Sequence, residues 1–162
     1  MPRTTVIELY KEEMKFSAGH FTIFSATERE RLHGHNFRVQ ASMTCEVGED
    51  GLAFDYAIYK RRIFDMCAEW NEYFMLPERS PHLRLEKTDD YLIAHFDGDR
   101  IPFLYKDVMT LPVANVTVEE LSQLVLVRLV EFRNAEQHLQ VSAIEVKVFS
   151  GPGQSASANW KL

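Results

Sequence analysis

Cysteine is scarce: the 162 residues include only Cys45 and Cys67, well apart and outside any zinc or redox spacing. That excludes a disulfide scaffold and a thiolate zinc module, and both are expected to be free thiols in a reducing compartment. An excess of basic charge is also missing. Lys and Arg number 18 against 24 Asp and Glu, for a net charge of -6, so no nucleic-acid or anionic-membrane partner is expected. No apolar run reaches the length of a membrane span. The opening MPRTTVIEL has no basic-then-apolar layout, so a cytoplasmic protein is expected. Repeats, linkers and low-complexity tracts are absent. What is there suits one soluble domain over residues 1–162, with 46% hydrophobic and 26% charged residues.

Thr5 to Ala18 is rich in β-branched and aromatic residues and predicts one long strand. A loop from Phe21 to Arg31 follows. A second strand runs from about His35 to Cys45, with Phe37, Val39, Ala41 and Met43 on one face. A helix is predicted from about Tyr56 to Phe74, capped by Asp55 and stopped by Pro77, with Ile63, Phe64, Cys67, Trp70, Asn71 and Phe74 on one stripe. Between Arg84 and Leu111, YLIAHF and RIPFLY flank Asp97-Gly98, a tight-turn pair, and Pro102 demotes the second strand to an edge. A second helix is expected over about Val118 to Asn134, where Thr117 and Glu120 fit a capping box. VSAIEVKVF and the last residues make a terminal strand pair. Mixed helices and antiparallel strands predict an α+β domain with both helices on one face of the sheet.

The stretch RERLHGHNF puts His33 and His35 two positions apart, and alternate strand residues point to the same side. His20 closes the preceding strand, so antiparallel pairing would bring it back beside them. A catalytic zinc keeps three protein ligands and one open position, and imidazole suits it. An isolated H-x-H is more often a pair of surface or core histidines. The third imidazole at the far end of the loop shifts the balance to zinc (Zn²⁺). His82, His95 and His138 are less well placed. Beside the cluster stand Glu28 and Glu30, either of which could serve as general base, and sequence alone does not choose between them.

FSAGH, LHGHNF, GLAFDY and NVTVEEL, in this order and followed by the strand pair, resemble the 6-pyruvoyltetrahydropterin synthase and 6-carboxytetrahydropterin synthase family. The resemblance spans most of the chain. It implies the tunnelling fold: a four-stranded antiparallel sheet with two helices on one side, closed into an oligomeric barrel as a homotrimer or homohexamer with active sites between subunits. It implies a zinc-dependent lyase acting on the side chain of dihydroneopterin triphosphate, on the way to queuosine, folate or tetrahydrobiopterin. His20, His33 and His35 map onto the zinc ligands. Thr117 and Glu119 match residues near the pterin pocket.

Four departures stand beside these matches. The family's catalytic cysteine has no counterpart in ATERER, where Glu30 matches the glutamate of some folate-pathway relatives and Glu28 is second choice. WNEYFML carries Asn71 and Glu72 where the family has a catalytic Asp-His pair, leaving Glu72 as the available proton acceptor. Ser150 stands where the family anchors its pterin with a glutamate, so a charge-assisted contact is lost. The segment from Pro77 to Leu111 is longer than usual and holds the extra β-hairpin. Two alternatives therefore stay open: a zinc enzyme on the same fold with another heterocyclic substrate, or a catalytically inactive binding relative.

Overall fold

A computed structural model describes residues 3–162. The elements in order are β1 (Arg3–Leu9), β2 (Lys15–His20), β3 (His33–Val47), α1 (Ala57–Trp70), β4 (Tyr73–Pro77), β5 (Arg84–Lys87), β6 (Tyr91–Phe96), β7 (Asp99–Leu104), β8 (Val108–Leu111), α2 (Val118–Ala135), β9 (Val141–Gly151) and β10 (Gln154–Lys161). Tyr105–Asp107 is a single 3-10 turn between β7 and β8.

β3 is the spine. One of its edges pairs with β1, from Arg3↔Val47 to Leu9↔Ala41, and then with β2, from Lys15↔Arg38 to His20↔His33. The other edge pairs with β9, which pairs with β10. The expected four-stranded antiparallel sheet is thus present, but its first strand is two. Between β1 and β2 the chain steps out at Lys11-Glu12-Glu13 and returns through Met14, whose carbonyl accepts from Val39 N–H at 2.8 Å. Glu12 takes two hydrogen bonds from Arg38 (2.9 and 3.1 Å) and one from Lys15 (3.0 Å) while Met14 is buried, so the step keeps the apolar side chain in and the charges out.

Both helices pack on one face. Phe37, Val39, Ala41, Met43 and Cys45 of β3 share a core with Val141, Ile144, Val146 and Val148 of β9, with Tyr59, Ile63, Cys67 and Trp70 of α1, and with Leu121, Val125 and Leu129 of α2. α2 begins as expected: Thr117 Oγ1 accepts from Glu120 N–H at 3.3 Å, but Glu120's carboxylate closes on Ala114 N–H (2.9 Å) rather than on the cap itself. α1 begins one residue later than expected. Tyr56 occupies the cap position, and Asp55 accepts from Ala57 N–H at 3.0 Å from just outside it.

α1 also ends earlier, at Trp70, and Pro77 does not stop it. Asn71 turns extended and Glu72 takes a left-handed φ of 66°. Asn71 Oδ1 accepts from Ser17 N–H (2.9 Å) and Glu72 N–H donates to Ser17 O (2.7 Å), which steers the chain into β4, parallel to β2. β8 then adds in parallel to β4, so this side of the sheet extends past the antiparallel part. Phe74, expected on the helix stripe, instead packs against Gly19, where a Cβ would collide with its ring.

The extra hairpin is a three-stranded sheet, β5-β6-β7. Asp97 (φ 44°) and Gly98 (φ 85°) form its left-handed turn, and Pro102 lies on the edge strand β7. It closes a second core of Phe21, Ile23, Leu76, Leu83, Leu92 and Phe96. Among the described residues, no helix is long and apolar enough to cross a membrane.

Leu129 is fully buried between α2 and the sheet. Leu129→Ala is expected to cost about 2–5 kcal/mol of unfolding free energy, read by urea denaturation. A loss under about 1 kcal/mol would contradict this placement of α2, because substitutions off a packed core cost little.

Candidate metal centre and active site

The β2–β3 register sets His20 directly opposite His33, and His35 follows on the same face opposite Ala18. The row of β3 side chains that forms the core, ending at Phe37, continues outward as His35 and His33. The three ring centroids lie 4.6, 4.9 and 5.1 Å apart. One nitrogen from each ring falls within 4.8 Å of the others, so the group could hold a metal ion.

The backbone orients two of the rings. His20 Nδ1 is 2.7 Å from Val116 O, and His33 Nδ1 is 2.7 Å from Arg31 O. A carbonyl only accepts, so each Nδ1 carries the proton and each Nε2 presents a lone pair. His33 Nε2 lies 3.1 Å from His35 Nε2. Nitrogens this close share a proton or share a cation. His20 Nε2 is buried without any hydrogen-bond partner, a costly arrangement that an ion at this point would relieve. Burial chiefly lowers the His20 pKa, and burial with the neighbouring His33 lowers that of His35, so both favour the neutral, ligating form. Carbonyls that accept from the far ring nitrogen and so fix the tautomer are the usual company of metal-bound imidazole. The donor set therefore fits a divalent metal.

The loop expected from Phe21 to Arg31 is itself a small hairpin. Glu30 N–H donates to Thr22 O (2.9 Å), Phe24 N–H to Glu28 O (2.8 Å), and Ile23 bridges Arg29. This brings Glu30 Oε2 to 3.0 Å from Thr22 N and 3.6 Å from His33 Nε2. Burial pushes the Glu30 carboxyl up, but the Thr22 N–H and the imidazoles outweigh it and hold it below the usual carboxylate range. Glu28 is exposed at the hairpin's tip, where its backbone N–H donates to Ser25 Oγ at 3.1 Å. Of the two glutamates the geometry brings only Glu30 to the imidazoles.

The other expected residues divide by position. Thr117 and Glu119 open α2, immediately after the Val116 carbonyl that orients His20, so this helix start lies beside the cluster. Ser150 continues the core-facing row of β9 toward the same end, and its hydroxyl accepts from Gln154 at 2.9 Å. Glu72 is not brought to the imidazoles of its own chain by any contact. It lines an open groove of about 470 Å³ at the β2–β3 edge, together with Ser17, Gly19, Gly34, His35 and Asn36. Two of the three remaining histidines have side-chain partners, His95 with Glu86 (2.5 Å) and His138 with Tyr59 (3.1 Å), while His82 is exposed. Burial pushes the Cys67 thiol up to about 12 and Cys45 to about 11, so neither supplies a thiolate.

Sequence reading missed Asn115. Its side chain accepts from Ile23 N–H (3.1 Å) and donates to Ile23 O (2.7 Å), pinning the Glu30 hairpin to the approach of α2. An asparagine two residues before a helix cap carries no signal of such a long-range bond.

The family model described as 6-pyruvoyl tetrahydropterin synthase matches residues 8–159. A protein of Methanocaldococcus jannaschii named "Putative 6-carboxy-5,6,7,8-tetrahydropterin synthase" is 24% identical over 144 residues, covering 88% of each chain. The 6-pyruvoyl tetrahydropterin synthase of Plasmodium falciparum superposes with a TM-score of 0.90 at 24% identity, over 98% of this chain and 99% of that one. That of Plasmodium vivax gives 0.91 at 24% identity, over 99% of both. Two further P. vivax structures are described as variants in which a catalytic glutamate is replaced by cysteine or alanine. The superpositions show the same fold.

Untagged protein is expected to bind one divalent transition metal per chain, measured by elemental analysis, and to lose it in His20→Ala and His33→Ala. Binding should weaken as pH falls through and below the ordinary imidazole range, because protons compete for the ligand nitrogens. Metal content unaffected by either substitution would contradict the assignment.

Proposed function

Because the chain belongs to the 6-pyruvoyl tetrahydropterin synthase family, we propose that it is a zinc-dependent lyase acting on the side chain of dihydroneopterin triphosphate, as a 6-carboxy- or 6-pyruvoyltetrahydropterin synthase does. One observation carries the reading: three convergent imidazoles with the Glu30 carboxylate 3.6 Å from His33 Nε2. His20, His33 and His35 would hold the zinc, three ligands leaving a position for substrate. Zinc, when bound, polarises the oxygens of the substrate side chain.

Glu30 is the general base. Its lowered pKa keeps it ionised at neutral pH, and the Thr22 N–H holds one of its oxygens in place. The P. vivax variants in which a catalytic glutamate is replaced support a glutamate as a catalytic residue on this fold. Thr117, Glu119 and Ser150 bind the pterin ring at the end of the sheet that carries the metal site. Glu72 relays protons, and the open groove that it lines leaves room for a site completed between subunits of a homotrimer or homohexamer. A cytoplasmic setting accords with two free, buried thiols.

Ser150 favours one second reading. Its hydroxyl is already engaged by Gln154 and offers no charge to a pterin, so the same metal and base could serve another heterocycle.

Glu30→Gln is expected to lower kcat/KM for dihydroneopterin triphosphate by about 10²–10⁴-fold, while Glu28→Gln stays near wild type. Unchanged turnover in Glu30→Gln removes Glu30 from the mechanism. Absence of pterin binding by the zinc-loaded wild type moves the assignment to the second reading.

A further inference from the structure

We propose that Arg29 is the positioning residue for Glu30, and that the three-stranded sheet β5-β6-β7 acts on the active site through it. The inference rests on Glu30 being the base of the proposed reaction.

The Arg29 guanidinium has four partners. Nη1 donates to Glu30 O at 2.9 Å and Nη2 to Asp99 Oδ2 at 2.9 Å. Its central carbon lies 5.3 Å from the ring centroid of Phe21 and 5.7 Å from that of Phe96. Each partner has a telling address. Phe21 directly follows the ligand His20, and Glu30 directly follows Arg29. Phe96 ends β6, and Asp99 opens β7. One side chain therefore ties both ends of the hairpin carrying Glu30 to the turn of the added sheet.

Without Arg29, few contacts fix Glu30. Its own carboxylate and N–H hydrogen-bond only to Thr22, on the same small hairpin, and His33 Nε2 lies beyond hydrogen-bond reach at 3.6 Å. Those bonds hold the hairpin closed but do not set its position against the metal site. Asn115 anchors the hairpin from the α2 side, and Arg29 anchors it from the other. The side chain of Arg29 is only 18% exposed, and its Nε is buried with no partner. An arginine that served solubility alone would not be dehydrated in this way. The planar fork meets a carbonyl and a carboxylate at once while its faces lie on two rings. A lysine, as a compact point charge, cannot reproduce that arrangement.

The test uses the full-length zinc-loaded protein in three forms: wild type, Arg29→Lys and Asp99→Ala. Asp99 is an exposed residue whose loss leaves the cores intact. Amide hydrogen exchange is read at Thr22 and Glu30, and kcat, KM and zinc content are measured with dihydroneopterin triphosphate. Both variants are expected to speed exchange at Thr22 and Glu30 by about tenfold or more, with His33 and His35 unchanged. In Arg29→Lys, kcat should fall by about 10²-fold with KM and zinc content near wild type, as a misplaced base predicts. Asp99→Ala should move kcat in the same direction. Unchanged exchange overturns the proposal. So does unchanged kcat with accelerated exchange, or joint loss of zinc, KM and kcat, which marks a merely structural residue. A wild type that turns over no dihydroneopterin triphosphate defeats the functional reading instead, and the exchange data still decide whether Arg29 clamps Glu30.

Discussion

The antiparallel register that sets His20 opposite His33 is the constraint on which the site depends. A slip of one residue along β2 would turn every side chain of that strand to the other face, taking Phe16 and Ala18 out of the core together with His20. Burial of Phe16 against Phe37, their rings stacked at 5.2 Å, therefore holds the register that collects the imidazoles. The same apolar row that stabilises the fold runs directly into the imidazole cluster.

Around that row, the lone pairs are aimed by backbone rather than by other side chains. The Val116 carbonyl at the entry to α2 and the Arg31 carbonyl at the entry to β3 each take one Nδ1 proton. The start of α2 thus has two roles: Thr117 caps the helix while its neighbour Val116 orients the His20 ring. The Glu30 hairpin is held between Asn115 and Arg29, so the candidate base is placed by elements from both cores.

Much of this was legible in the residues. Alternation in β3 and the position of His20 foretold the cluster, because strand geometry leaves few ways for those rings to point. The stripe through Trp70, the Thr117 cap and the Asp97-Gly98 turn were legible for the same reason: each is a local pattern with a local cause. The misreadings have nonlocal causes. Helical spacing continues through Phe74, yet Asn71 and Glu72 bond to Ser17, distant in sequence, and that tertiary pairing overrides the periodicity. The β4–β8 parallel pair could not be foreseen from two short apolar runs separated by a whole sheet. Lys11 to Met14 reads as part of a strand until Glu12 meets Arg38. Glu28 and Glu30 look alike in TERER, and only the cross-bonds of their hairpin turn one inward and leave the other in solvent.

The measurement that bears most directly on the account is X-ray absorption at the zinc edge of the zinc-loaded, substrate-free protein. The geometry predicts three imidazole nitrogens at about 2.0–2.1 Å with one exchangeable oxygen completing the shell, the signature of an open catalytic site. A shell closed by four protein ligands would contradict it and mark the metal as structural.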